Sequence, residues 1–277
     1  MVTQARAFRT SGERSAHRGA GDSVCTVSSI EANIVREGAR LMARAEETRV
    51  ALRLLGGVAV CLRAPELPEA FARSYADLDV ITTRSNRHAA AAFLREEGYE
   101  PHVAFNALNG NERLLFFDQE NGRQVDVFVG AFRMCHCVPL EARLEVDRIS
   151  IPLAELLLTK LQVIELNEKD VRDALALLHG HDIGEEDGEI VNATRVAALC
   201  AEDWGLWRTI GQNLGICRGN TGMFDLAAAE RGKIEARLDT LLARIEAKPK
   251  SRSWRLRAKI GDRKRWYELP EEVAGEP

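Results

Sequence analysis

The sequence predicts an α+β protein: a small mixed β-sheet core with flanking helices, followed by a helical C-terminal region. Three observations carry that prediction. Apolar runs of strand length (Val50 to Leu55, Leu78 to Thr82, Arg113 to Asp118 and Gln124 to Val129) cluster between residues 50 and 130. Helical spacing of apolar residues dominates from Leu153 to Ala247. The 277 residues are 45% apolar and 29% charged, a balance that lets a globular chain bury a sizeable core.

The elements follow in order. Residues 1–28 are rich in Arg, Ser, Gly and Ala without periodicity, and are expected to form a disordered arm. Ser28-Ser29 offer caps for an amphipathic helix ending near Glu47. The strand Val50 to Leu55 breaks at Gly56-Gly57 into a short helix, Val58 to Leu62. Arg63 to Ala76, with its prolines, is a connection to the strand that opens on Asp77-Leu78-Asp79. Asn86 is expected to cap a helix closed by Gly98, and Tyr99 to Ala107 reads as a strand. Asn121-Gly122 signals a hairpin between the next two strands. Leu144 to Ile151 reads as a last strand pair or an extended approach. Pro152 then opens a helix through LAELLLTKLQVIEL to Asn167, with a second from Glu168 to His179. Gly180 to Gly188 is a solvated loop, and helices cover Thr194 to Asp203, Trp204 to Leu214 and Phe224 to Ala247. The expected organisation is an arm (1–28), a sheet-containing core (29–151), a helical domain (152–247) and a basic tail (248–277).

Composition narrows the function classes. Net charge is -4, so contact with nucleic acid would have to come from a local patch. The one candidate is Lys248 to Arg265, interleaved with Trp254 and Trp266. It could clamp RNA; the expected reading is that its tryptophans pack on the body while its arginines face water. No run of 18 apolar residues spans a membrane, and the N-terminus lacks an apolar signal region, so a cytoplasmic location is expected. Six cysteines in a chain of this length are expected as reduced thiols, with Cys61, Cys200 and Cys217 filling core positions. Cys135-His136-Cys137 lacks the second ligand pair that structural zinc needs.

The chemistry concentrates at a few positions. Asp77 and Asp79 lie two apart at a strand start, so they project to one face. Paired carboxylates there call for a divalent cation, Mg2+ or Mn2+. Gly56 and Gly57 let backbone amides approach a phosphate closely. Asp126 is a third acid inside an apolar strand, and alternation alone leaves its face open.

In this order, Leu55-Gly56-Gly57, Asp77-Leu78-Asp79-Val80 and Asp126 resemble the polymerase-β superfamily of nucleotidyltransferases over about residues 50 to 130. LTKLQ followed by EKDVRDALALL resembles the helical half of AbiEii-type nucleotidyltransferase toxins. The resemblance implies transfer of a nucleoside monophosphate from an NTP to a hydroxyl acceptor, releasing pyrophosphate. Asp77, Asp79 and Asp126 would be the catalytic, metal-binding acids. Gly56, Gly57, Lys160, Asp173 and Arg73 would bind the nucleotide. The acceptor would be tRNA or another RNA, or a small molecule, and an antitoxin protein would be a partner. Where many relatives carry Ser after the first glycine, this chain has Gly57, and its connection to Asp77 is long. An inactive nucleotidyltransferase-fold binding or regulatory module is the alternative.

Overall fold

The fold is α+β. The computed structural model describes residues 30–64 and 66–269; the expected arm and the Ser28-Ser29 caps lie outside them. Helix α1 (Ile34–Glu47) is capped instead by Asn33, whose side chain accepts from the amides of Val35 and Arg36. Strand β1 (Leu52–Leu55) runs straight into helix α2 (Gly56–Arg63). Strand β2 (Leu78–Thr82), helix α3 (Arg87–Glu96), strand β3 (Glu100–Pro101), helix α4 (Val103–Asn109) and strands β4 (Arg113–Asp118) and β5 (Arg123–Val129) follow. These strands form one sheet in the order β1-β2-β5-β4-β3. β2 and β5 are parallel; the other neighbours are antiparallel.

The strand expected from Tyr99 to Ala107 is mostly helix. Only Glu100–Pro101 pairs with β4, and His102 then caps α4 by accepting the Phe105 amide at 3.2 Å on Nδ1. The Asn121-Gly122 hairpin forms as expected, with Gly122 at φ +61° and Asp118 accepting from Asn121 and Arg123. Leu144 to Ile151 is turn and bend, neither a strand pair nor an extended run, and pairs with β1 through an isolated bridge, Leu54 to Ser150.

The two short strands β6 (Ala131–Arg133) and β7 (Cys137–Pro139) lead to helix α5 (Leu153–Leu161). α5 is buried on nearly every side, including Glu155, whose carboxylate is held by Arg143 and Arg195. A helix apolar all round belongs between layers. It ends well before the expected Asn167, because Asn213 caps its last turn by donating to the carbonyls of Leu161 (2.7 Å) and Val163 (2.6 Å). Helix α6 (Glu168–Gly180) starts on the Asn167 side chain. The expected solvated loop after it contains β8 (Asp182–Gly184), parallel to β9 (Ile190–Asn192). Helices α7 (Ala193–Glu202), α8 (Trp204–Asn220), α9 (Ala228–Ala247) and α10 (Arg252–Ile260) complete the order; α8 runs past the expected Leu214, and α9 begins after the expected Phe224.

Apolar packing is continuous from Leu41 in α1 through α5 to Ile245 in α9, so sheet and helices share one core. Cys200 and Cys217 sit inside it, whereas Cys61 is half-buried. Among the described residues, no helix is long and apolar enough to cross a membrane.

Candidate active site

The site is built where β1, β2 and β5 lie side by side. In register, Leu55 faces Asp79 and Asp79 faces Asp126. Residues directly opposite on neighbouring strands share a face, so the register answers what alternation left open: Asp126 lies beside Asp79. β2 begins at Leu78, so Asp77 precedes the paired strand and is exposed.

After Leu55 the chain turns into α2 through Gly56 at φ +70°. A Cβ on Gly56 would collide with the Asp79 carboxylate. Only glycine adopts that backbone freely and leaves Asp79 room over the start of the helix. Gly57 is required for a different reason. A Cβ there would collide with the Arg73 guanidinium and with the Tyr75 ring, so these two side chains occupy the space a serine side chain would need.

The long connection from α2 to β2 is tied down. Phe71 is buried against Phe224, with ring centres 5.2 Å apart, and Arg172 donates to the Ala70 carbonyl at 2.9 Å. Arg73 then makes two parallel bonds to Asp173, at 2.8 and 2.7 Å. Lys160, in the last turn of α5, reaches the same carboxylate at 2.9 Å and Asp170 at 3.4 Å. Asp173 therefore bridges two cations and orients both. Burial would raise its carboxyl, but the Arg73 hydrogen bonds and the Lys160 charge hold it below the usual range. Burial would likewise pull the Lys160 ammonium down; Asp173, Asp170 and Asp79 keep it above the ordinary lysine value.

Asp79 has no such partner. Among the described residues, no hydrogen-bond donor or ion pair reaches Asp77 or Asp79. Burial, reinforced by Asp126, pushes the Asp79 carboxyl up to about 7 against the pull of Lys160 and Arg113. Asp77, though exposed, is raised by partial loss of solvent on its inner side and by Asp126. Asp126 is the reverse case. It is buried, with Oδ1 accepting from Arg113 Nε at 2.7 Å and Nη2 at 2.6 Å, and Oδ2 from Gln124 at 2.8 Å.

A cavity of about 850 Å³ opens over this face. Gly56, Asp79 and Lys160 line it, with Arg113 and an apolar wall that includes Phe128, Phe132 and Tyr267. Asp77, Asp126, Gly57, Arg73 and Asp173 stand outside the lining. Arg113 is the residue that reading the sequence missed. Its signal was present: the β4–β5 register sets it opposite Phe128, on the face that carries Asp126.

Asp126 lies beside Asp79, but its oxygens are turned to Arg113 and Gln124. Among the described residues, no group of three or more His, Cys, Asp and Glu side chains is placed to hold a metal ion. The unpaired Asp79 carboxylate, with Asp77 two residues before it, does fit a divalent cation completed by oxygens of a bound phosphate. Asp126, expected as a third ligand, has both oxygens engaged. His136 is woven into the core, its amide donating to Gln162 at 2.6 Å and its Nε2 lying 2.8 Å from the Thr209 hydroxyl.

No family model, no curated protein and no solved structure matches the chain.

Proposed function

We propose that this protein is a nucleotidyltransferase that takes an NTP with Mg2+ or Mn2+ and moves the nucleoside monophosphate to a hydroxyl acceptor. The observation that carries the reading is the unpaired, half-buried Asp79 carboxylate. It lies over the glycine-started helix α2, in a nucleotide-sized cavity that Lys160 also lines. Asp77 and Asp79 would hold the cation, which supplies positive charge to the triphosphate oxygens. The opening amides of α2 favour an anion above Gly56. Lys160, kept charged by Asp173 and Asp170, offsets the charge that builds on the departing pyrophosphate. Arg73 fixes Asp173 and thereby Lys160. The acceptor oxygen forms its bond to the α-phosphorus as the bond to the bridging oxygen breaks. The hydroxyl proton leaves to the Asp79 carboxylate, and pyrophosphate departs. The exposed basic residues of α10 favour RNA over a small molecule as acceptor.

One observation favours a second reading, a nucleotide-binding or regulatory module without turnover: Arg113 and Gln124 occupy Asp126. Incubating the protein with each labelled NTP, Mg2+ and either total RNA or small hydroxylated acceptors separates the two. The transferase reading expects label on an acceptor and its loss in Asp77→Asn and Asp79→Asn. Binding of NTP with no transfer to any acceptor would leave the module.

A further inference from the structure

Arg113 faces the cavity with charge the preceding reading does not use. Its guanidinium is fixed from two sides. Asp126 takes Nε and Nη2, and the Phe128 ring centre lies 5.4 Å from the guanidinium carbon. Nη1 has no partner among the described residues and remains available. A planar fork held flat at a cavity wall matches phosphate oxygens. Lys160 supplies a second cation to the same cavity. Three acids also line it. Asp170 is engaged with Lys160, Glu165 is exposed, and Asp79 is the acid left inside.

Asp126 stands in contrast. It lies outside the lining, and releasing it as a ligand would mean breaking a buried ion pair and leaving a charge unpaired. We propose that Arg113 is the ligand-facing member of the Arg113–Asp126 pair, and that Arg113 and Lys160 together bind a polyphosphate without any metal. Asp126 is then a positioning residue that acts through Arg113. The inference rests on the reading that a triphosphate occupies this cavity, and it changes what the third acid does there.

The test is calorimetric titration of the full chain with inorganic triphosphate in EDTA. The wild type binds. Arg113→Gln and Asp126→Asn each weaken binding tenfold or more, and Arg113→Lys falls between. The double variant binds no more weakly than Arg113→Gln, because both changes remove one device. Mn2+ binding, followed by its electron paramagnetic resonance signal, is unchanged in Asp126→Asn. Should Arg113→Gln fold poorly around an unpaired Asp126, the double variant leaves no buried charge and must show the tenfold loss itself.

Several results overturn the proposal. These are no metal-free binding by the wild type, wild-type affinity in Arg113→Gln or in the double variant, and multiplying losses. Loss of Mn2+ from Asp126→Asn with triphosphate binding intact does so as well. Metal-free binding needs no turnover. Arg113-dependent binding without nucleotidyl transfer therefore sinks only the transferase reading, and transfer with triphosphate binding indifferent to Arg113 sinks only this one.

Discussion

Asp173 is a buried acid and Asp79 a half-buried one with opposite surroundings, and each makes a distinct prediction. Asp173 neutralises Arg73 and Lys160 together. Removing one member of a buried network leaves uncompensated charge and costs about 3–5 kcal/mol. Asp173→Ala should lose that much in urea unfolding at pH 7, and Asp173→Asn, which still accepts hydrogen bonds, should lose less; equal and negligible losses would show that the bridge holds nothing. Asp79 is destabilising when ionised. Its folded pKa of about 7 stands above the ordinary aspartate value of 3.8. The folded protein thus binds more protons than the unfolded chain between those values. Stability from this group is fully present below the unfolded pKa and is lost as pH rises through about 7. In EDTA, Asp79→Asn should flatten that slope and, at pH 8, exceed the wild type by on the order of 2–4 kcal/mol. Identical pH profiles of melting for the two proteins would contradict this.

At the scale of elements, two kinds of information separate. The strands Leu78 to Thr82 and Arg113 to Val129 and their hairpin were legible, because alternation and an Asn-Gly turn are local signals. Gly56, Asp79 and Lys160, which line the cavity, stood out in the sequence for the same reason: turn, strand start and helix each announce themselves within a few residues. The end of α5 was not. Its apolar spacing continues to Asn167, and the side chain that stops it, Asn213, lies in α8. Nor was the junction at Tyr99 to Asn109, where a His102 cap overrides a strand-like pattern. Arg113 was missed because its meaning depends on strand register, which no single strand discloses. The Gly57 position shows how element packing decides chemistry. The connection before β2 folds back on α6 and sets Arg73 against α2, so the absent serine is a steric requirement. Gly57→Ser should cost about 1–3 kcal/mol, as overpacking does. The same change should cost less in an Arg73→Ala background, where only the Tyr75 ring has to give way. Thermal melts of the four proteins test this, and additive losses would mean that Arg73 is not the obstacle.

On the scale of the whole molecule, the chain closes on itself through tryptophans. Trp254 packs on Trp207 with ring centres 5.1 Å apart, Trp266 on Trp204 at 6.0 Å, and Arg257 lies over Trp204 at 4.7 Å. The indole of Trp266 donates to Thr209 at 3.1 Å. These rings are occupied by the body of the protein. What the segment presents outward is charge. Arg252, Arg255, Lys259 and Arg263 are exposed and have no ion-pair partner among the described residues. The chain continues from them to Tyr267 and Leu269, which line the cavity. A rigid basic helix joined to the cavity wall suits a strand whose end enters the site. Its contribution to binding would come from counterion release and depend on salt. If RNA is the acceptor, replacing Arg255, Lys259 and Arg263 by alanine should reduce the slope of log affinity against log salt by about 2, at ~0.7 per single-strand phosphate contact. Triphosphate binding in EDTA should not change, because none of the three lines the cavity. Filter-binding titrations across a salt series measure the first effect and calorimetry the second. An unaltered salt slope would remove α10 from the acceptor path, while a fall in triphosphate affinity would show that the change disturbed the fold around Tyr267.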